Sequence, residues 1–253
     1  MEFLNKTVLI TGGASGMGLL AGKCFAKEGA NIVLADINPE GLEKAVSEVR
    51  EITENVIGQV TDATKYEQVV ACRDAAVEKF GSIDVLIPCA GGAERRILGM
   101  QEKNFFEQPI SAIEFSIHMN LMSVLYFEHA VMQQMVKQKG GVIIHMGSIT
   151  GAEGSAGNIG YATSKSALMT GTVKSLAQAG APYGIRACCI APGPVMTRPG
   201  MAGMKTLMGY AAEPQEIVDM MLFLASERGR SVTGTTFLMD GGRNVMRNNE
   251  LAL

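Results

Sequence analysis

The chain has 253 residues and a net charge of −3, and 47% of its residues are hydrophobic while 19% are charged. This composition provides a sizeable core and excludes a largely disordered chain. A small negative charge without any basic block argues against nucleic acid or an anionic membrane as a partner.

The first residues, MEFLNKTVLITGG, lead directly into an apolar run that predicts a strand. They lack the basic region and the long apolar stretch of a signal peptide. The chain also lacks an uninterrupted apolar segment of the roughly 20 residues that span a bilayer. We therefore expect a cytoplasmic protein that does not use the membrane.

Short apolar runs alternate with amphipathic stretches along the chain. The apolar runs predict buried strands at residues 6–11, 31–36, 55–60, 83–87, 142–146, 185–190 and 235–239. The amphipathic stretches predict helices at residues 19–28, 40–51, 65–80, 110–138, 160–180 and 213–226. Such alternation is typical of the α/β class, with a doubly wound parallel sheet and helices on both faces. Because no linker or internal repeat divides the chain, we predict one domain over residues 1–253.

Two segments interrupt this alternation. Residues 91–108 are polar and irregular, and they predict a loop with a turn of helix. Residues 197–212 are rich in Gly and Met. We expect residues 198–212 to form a mobile lid that becomes ordered when a ligand binds.

A glycine-rich loop with Gly12, Gly16 and Gly18 joins the first predicted strand to the first predicted helix. Glycines in this place let the backbone turn sharply and approach a pyrophosphate at the helix N-terminus. The spacing Gly-x3-Gly-x-Gly differs from the standard dinucleotide fingerprint Gly-x-Gly-x2-Gly, and any tight turn can use glycine. The position between a strand and a helix nevertheless favours nucleotide binding.

Asp36 ends the second predicted strand, about 20 residues after the glycine loop. A carboxylate there can accept hydrogen bonds from both ribose hydroxyls of NAD, and it repels a 2′-phosphate. No Arg or Lys occurs at residues 12–18, 37 or 38, so we predict NAD(H) in preference to NADP(H). The alternative is that Asp36 only caps the strand end. Asp62 follows the third strand and has the same two interpretations, with recognition of the adenine edge as its functional one.

Tyr161 and Lys165 are four residues apart in a predicted helix, so they share one face of it. A phenol has a reference pKa of about 10, and a neighbouring ammonium lowers that pKa. The pair is therefore a candidate acid/base device near neutral pH. Because a Tyr and a Lys at this spacing are common, the pair alone does not establish catalysis.

The five Cys and three His show no metal-ligand spacing, and we predict no metal site. Cys188 and Cys189 are adjacent within an apolar run, which favours reduced thiols in the core over a disulfide.

In combination, these features resemble the short-chain dehydrogenase/reductase family of the compact, single-domain type, which has a Rossmann-like fold. The resemblance covers residues 7–242. Five of the family's motifs occur in order, and together they are far more specific than any one alone: Thr11-Gly-x3-Gly16-x-Gly18, Asn120, Ser148, Tyr161-x3-Lys165, and Pro192-Gly193-x-Val195-x-Thr197.

The resemblance implies an NAD(H)-dependent oxidoreductase that interconverts a secondary alcohol and a ketone by hydride transfer. Tyr161 would be the general acid/base, and Lys165 would lower its pKa and bind the nicotinamide ribose. Ser148 would hydrogen-bond the substrate oxygen. Asn120 would hold a water of the proton relay.

The resemblance also implies which residues contact the cofactor. They are Gly12, Ser15, Gly16, Met17, Gly18, Asp36, Asp62, Ala63, Ala90, Gly91, Tyr161, Lys165, Pro192, Gly193, Val195 and Thr197. One motif departs from the family, because Pro88-Cys89-Ala90-Gly91 stands where most members have Asn-Asn-Ala-Gly. Proline cannot donate a ladder hydrogen bond and cysteine lacks the amide, so side-chain roles at 88 and 89 are not carried over.

Segments 92–96, 149–158 and 198–212 correspond to the parts that vary with substrate in the family. The candidate substrate contacts are Gly92, Ile149, Glu153, Asn158, Met201 and Met204. The methionines would suit an apolar steroid or aromatic compound, whereas Arg95, Arg96 and Arg198 would suit a carboxylate or a phosphate. Both interpretations stay open, beside the simpler one of ordinary core methionines and solvated surface charges.

Two alternative functions also stay open. One is a 3-oxoacyl-thioester reductase of the same fold. The other is a catalytically inactive NAD-binding regulator, which is disfavoured because Asn120, Ser148, Tyr161 and Lys165 are all present. The resemblance further implies a homo-oligomer, with a tetramer favoured, built on the helices near 110–138 and 160–180 and the C-terminal strand region.

Overall fold

Seven parallel strands form one sheet in the computed structural model, which describes residues 1–246. The last seven residues of the predicted domain, 247–253, lie outside the described part of the chain. The sheet order is β3-β2-β1-β4-β5-β6-β7. In chain order the strands are β1 (Thr7–Thr11), β2 (Asn31–Asp36), β3 (Val56–Val60), β4 (Val85–Pro88), β5 (Gly141–Met146), β6 (Ile185–Pro192) and β7 (Thr235–Met239).

Helices connect the strands, and the predicted doubly wound α/β class is confirmed. They are α1 (Gly16–Lys27), α2 (Pro39–Arg50), α3 (Tyr66–Phe80), α4 (Glu94–Ile97), α5 (Ile110–Ile117), α6 (Ser123–Gln138), α7 (Ile149–Glu153), α8 (Ile159–Ala167), α9 (Val173–Gly180) and α10 (Pro214–Ala225). Short 3-10 turns lie at Phe105–Glu107, Ala181–Tyr183, Pro199–Met201, Glu227–Gly229 and Arg243–Val245.

Two of the predicted helices contain π turns. His118–Met122 joins α5 to α6, and Leu168–Thr172 joins α8 to α9. A π turn adds a residue to one turn of a helix and barely changes the apolar periodicity, so the sequence pattern does not reveal it. The short helix α7 was also not predicted.

Residues of each central strand alternate between two cores. Val8 and Ile10 of β1 pack with α1, α2 and α10 on one face of the sheet. Leu9 of the same strand packs on the other face with α3, α6 and α9. Leu9 is in register with Val33 of β2 and Leu86 of β4. Because both faces are covered, the strand sequences are continuous apolar runs, as predicted.

The helical stretch Ile110–Gln138 is long and apolar enough to cross a membrane by length and composition, and it is the one such stretch within residues 1–246. The sequence prediction found no uninterrupted apolar run of sufficient length here, because polar residues such as Glu114 and Glu128 interrupt the stretch. Phe127, Val131 and Met135 on this stretch are fully buried in the core beside the sheet. The helix face that carries these three residues therefore belongs to the interior of the protein.

The sheet positions the site through its strand order. Connections run in opposite directions from β1 and β4, and parallel sheets bind ligands beyond the carboxyl ends of the strands at such a point. After β6 the chain leaves this edge and returns to it, where the backbone N–H of Met196 donates to the carbonyl of Ala212 at 2.9 Å. Residues 198–212 therefore form a loop whose two ends meet.

Candidate active site

A cleft of about 1580 Å³ lies across the carboxyl ends of β1, β2, β4, β5 and β6. The residues that line it include every cofactor contact implied by the resemblance: Gly12, Ser15, Gly16, Met17, Gly18, Asp36, Asp62, Ala63, Ala90, Gly91, Tyr161, Lys165, Pro192, Gly193, Val195 and Thr197. Positions spread over 186 residues of sequence thus meet in one cavity.

The glycine loop makes room for a ligand at the N-terminus of α1. Gly12 and Gly16 have positive φ angles of 64° and 56°, which favour glycine. A Cβ on Gly12 would lie 2.9 Å from the backbone nitrogen of Ala90, and one on Gly18 would overlap the carbonyl of Gly12. Ser15 precedes α1 without capping it through its side chain, so the first N–H groups of the helix stay available to an anionic group.

Asp36 is fixed at the end of β2 by two hydrogen bonds. Its carboxylate accepts from the backbone N–H groups of Ala14 and Asn38, each at 3.0 Å. These bonds join the carboxylate to the glycine loop, while the residue still lines the cleft. The cap role and the ribose role are therefore compatible.

Asp62 forms a local turn at the same end of the cleft. Its Oδ1 accepts from the backbone N–H of Thr64 at 2.9 Å and from the Thr64 hydroxyl at 2.7 Å. Lys65, which follows, is exposed and also lines the cleft.

Tyr161, Lys165 and Ser148 all line the cleft. The Lys165 ammonium is 5.6 Å from the centre of the Tyr161 ring, and it donates to the carbonyl of Met146 at 2.7 Å. Lys165 is 5% exposed. The Ser148 hydroxyl oxygen accepts from the N–H of Thr150 at 3.2 Å as the cap of α7, so its own proton remains free to be donated.

Asn120 is fully buried in the first π turn and does not line the cleft. Its amide nitrogen donates to the carbonyls of Gly92 and Ser116, both at 3.0 Å. Its side-chain oxygen accepts from the N–H of Gly92 at 2.8 Å. The side chain thus fixes the Gly92 loop through these bonds.

The predicted substrate residues divide into two groups. Gly92, Ile149, Asn158, Met201 and Met204 line the cleft, and Arg96 and Arg198 line it as well. Glu153 does not, because α7 directs its carboxylate to Arg243, whose Nε lies 2.9 Å away. Arg95 is likewise outside, since its Nε donates to the carbonyl of Met100.

Cys89, which departs from the expected family motif, stands beside Lys165. Burial raises the pKa of the Cys89 thiol to about 12, and the Lys165 ammonium opposes this rise only partly. The thiol is therefore protonated at neutral pH and is not a nucleophile. The loop that carries it is held instead by Thr11, whose hydroxyl oxygen accepts from the N–H of Ala90 at 3.1 Å.

Glu94 was missed as a functional candidate by the sequence analysis, which placed it among the variable substrate residues. It is fully buried at the start of α4. Its carboxylate accepts from the N–H groups of Gly160 and Tyr161 and from the Ser116 hydroxyl. Because these partners are 22 to 67 residues away, no local pattern could have revealed them.

The matching family model is that of the short chain dehydrogenases, over residues 6–206, and the chain belongs to this family. It is 32% identical to the 3-oxoacyl-acyl-carrier-protein reductase FabG of Thermotoga maritima, covering 96% of this chain and 99% of that protein. It is 35% identical to the trans-4-hydroxycyclohexanecarboxylate dehydrogenase of Sinomonas cyclohexanicum, over 96% and 94%. Among solved structures, NAD+-bound xylitol dehydrogenase superposes with a TM-score of 0.86 at 28% identity, covering 96% of this chain and 100% of the other.

Proposed function

We propose that this oxidoreductase uses NAD(H) to interconvert a secondary alcohol and a ketone, with Tyr161 as the general acid/base. The observation that carries the proposal is that Tyr161, Lys165 and Ser148 all line one cleft, whose other lining residues suit a dinucleotide. The glycine cradle, which an added Cβ would fill, supports the same cofactor.

The nicotinamide would supply or accept the hydride. Tyr161 takes the hydroxyl proton in the direction of oxidation and returns it to the carbonyl oxygen in reduction. Ser148 donates its free hydroxyl proton to the same substrate oxygen and so orients it. Lys165 uses one of its three N–H donors on Met146, which leaves two for a ribose and for a relay water.

The preference for NAD(H) over NADP(H) is supported by Asp36. Its carboxylate is held at the cleft by Ala14 and Asn38. A 2′-phosphate would meet this negative charge at close range. Lys65 is the basic side chain at this end of the cleft, and it lies on the rim beyond Asp62. It is therefore the residue at this end that could bind a 2′-phosphate, against the charge of Asp36.

The substrate we propose is a small alicyclic hydroxy acid or oxo acid. Ile149, Met201 and Met204 offer apolar surface for a ring. Arg96 and Arg198 line the same cleft, and neither forms an ion pair within residues 1–246. A carboxylate on the substrate would give them a partner. The relative named for trans-4-hydroxycyclohexanecarboxylate combines such a ring with such a carboxylate.

A 3-oxoacyl-thioester reductase is the second candidate. The relative from Thermotoga maritima carries that name and aligns along nearly the whole chain. The same two arginines would then face an acidic acyl carrier. A strong preference for NADPH would favour this candidate. The Asp36 carboxylate argues against such a preference. The inactive NAD-binding regulator stays the least favoured alternative, because all four candidate catalytic residues are present.

A spectrophotometric screen at 340 nm tests these proposals. The panel contains cyclic secondary alcohols with and without a carboxylate, a steroid alcohol, a polyol and an acetoacetyl thioester, each with both cofactors. We expect the fastest turnover with a cyclic hydroxy acid and NAD+. Lack of turnover with every compound would overturn the enzymatic proposal, and preference for the thioester with NADPH would establish the second candidate.

We also propose a cytoplasmic homotetramer. The proposal is supported by five unpaired cysteines, which suit a reducing compartment, and by exposed apolar side chains such as Ile110 on α5 and Leu238 on β7. Light scattering coupled to size-exclusion chromatography distinguishes a tetramer from a dimer, and cell fractionation tests the location.

A further inference from the structure

We propose that Glu94 is a positioning residue, which holds Tyr161 and Lys165 in place by binding the first turn of the helix that carries them. This inference rests on the proposed acid/base role of Tyr161. Glu94 is a charged residue with 0% exposure, and a carboxylate is retained in the interior only where several donors compensate its lost hydration. Here three donors do so.

Two of the three donors belong to the N-terminus of α8. The backbone N–H of Gly160 donates to Glu94 Oε1 at 2.9 Å, and that of Tyr161 donates to Oε2 at 3.1 Å. The residue before the helix, Asn158, does not cap it through its side chain. Glu94 therefore replaces the local cap with one from another segment, and its charge suits the positive end of the helix.

The third donor connects the carboxylate to the opposite side of the site. The Ser116 hydroxyl on α5 donates to Glu94 Oε2 at 2.9 Å. The same hydroxyl oxygen lies 3.3 Å from the amide nitrogen of Asn120, whose side chain fixes Gly92. An added Cβ on Gly160 would lie 2.7 Å from the Cβ of Ser116, so α5 and α8 are in close contact at this point.

This network explains how a buried charge can affect catalysis without touching the substrate. Glu94 bonds directly to the backbone of Tyr161, and Lys165 follows one helical turn later. The phenol and the ammonium move as one body with the first turn of α8, because both side chains leave the same helix face. Loosening that turn misplaces both groups relative to Ser148, which is held on a different helix, α7. Displacements of this kind lower turnover strongly even when binding is kept.

Glu94→Gln is the decisive variant. The amide has nearly the size of the carboxylate, but its NH₂ group cannot accept from a backbone N–H, so one of the two bonds to α8 is lost. We expect kcat to fall about tenfold to a hundredfold, whereas the Kd of NADH, measured by fluorescence, changes less than about twofold. Glu102→Gln is the matched control, since Glu102 is exposed and makes no side-chain hydrogen bond within residues 1–246.

A double mutant separates positioning from a purely structural role. If Glu94 acts through Tyr161, Glu94→Gln adds less than about a twofold loss to the residual rate of Tyr161→Phe. If it only maintains the folded fraction, both backgrounds lose activity by the same factor. Equal factors, or a Glu94→Gln variant with wild-type kcat, overturn the inference.

Failure of the proposed function gives a different result. In that case the wild type itself shows no turnover in the substrate screen. Hydrogen exchange then tests the contact without any substrate. We expect the amides of residues 160 and 161 to exchange faster in Glu94→Gln than in Glu102→Gln, and equal exchange would refute the capping role.

Discussion

The ammonium of Lys165 donates a 2.7 Å hydrogen bond to the backbone carbonyl of Met146, the last residue of β5. The bond joins α8 to the strand that leads into Ser148. A buried lysine on α8 is thereby held beside the cleft. The lysine thus has a structural partner as well as its proposed chemical one.

Lys165→Met should abolish most of the turnover. The substitution keeps an unbranched side chain of similar length, but it removes the charge and leaves the Met146 carbonyl without this donor. We expect kcat to fall by about 10²–10⁴-fold, as for the loss of a general acid/base group. Steady-state kinetics on the best substrate of the screen measures this. Lys174→Met on the exposed face of α9 is the control, and a Lys165→Met enzyme with more than half of wild-type kcat would contradict the assignment.

Asp36→Asn combined with Ile37→Arg should shift the cofactor preference toward NADPH. The first change removes the charge that repels a 2′-phosphate, and the second adds a guanidinium at a side chain that is 65% exposed. We expect the ratio of kcat/KM for NADH over NADPH to fall by about tenfold or more. Ile37→Gln serves as the control for the exposed position. An unchanged ratio in the double variant would show that Asp36 does not set the preference.

Removing one partner of the buried Glu128–His145 pair should be costly. His145 Nε2 lies 2.5 Å from Glu128 Oε1, and the two side chains are 0% and 1% exposed. Glu128→Leu leaves the buried imidazole Nε2 without its partner, which leads us to expect a loss of about 1–3 kcal/mol in the free energy of unfolding. The double variant Glu128→Leu/His145→Leu should regain most of this loss. Urea denaturation measures the free energy of unfolding of each variant. A double variant no more stable than the single one would refute the argument.

Alkaline pH should destabilise the protein partly through Cys72. Burial raises the pKa of this thiol from 9.0 to about 11. The unfolded chain then ionises at lower pH than the folded one, so stability present below pH 9 is lost as the pH rises toward 11. By pH 10 the ionisation of Cys72 in the unfolded chain has lowered the free energy of unfolding by about 1 kcal/mol. Cys72→Ala should show a correspondingly smaller decline between pH 8 and 10, and parallel declines for the two proteins would exclude this origin.

Residues 198–212 should exchange amide hydrogens rapidly in the free protein and slowly with cofactor and substrate. The base of this loop is fixed by the bond from Met196 to Ala212, whereas Leu207, Met208 and Tyr210 are at least 48% exposed. The base should therefore be protected in both states and the tip only in the complex. Hydrogen exchange followed by mass spectrometry measures both, and equal protection of the tip would contradict a lid.

The sequence predicted those parts of the molecule that depend on local pattern. Strands such as β1 and β6 are continuous apolar runs because both faces of the sheet are covered. The loop after β1 requires glycine at residue 12 because its backbone closely approaches that of Ala90. The role of Glu94 was not predicted because its hydrogen-bond partners lie on α5 and α8, far away in the sequence. Glu153 was assigned to the cleft because of its proximity to Ser148, but one helical turn is enough to direct a side chain elsewhere. The bonds from the Asn120 side chain to Gly92 also escaped prediction, because the two residues are 28 apart in the sequence.

A π turn divides each of the two long helices into two halves, at His118–Met122 in the first and at Leu168–Thr172 in the second. The side chains of the two halves therefore point in directions that differ from those in an uninterrupted helix. One added residue rotates the downstream half by about 100° relative to an uninterrupted helix. In the first helix this lets Ser116 bind Glu94 and Asn120 bind Gly92, while Val131 and Met135 face the core. Deleting a single residue there would restore regular geometry and turn one of the two faces away from its partners. The irregularity therefore makes the orientation of the half near the cleft independent of the orientation of the half packed in the core.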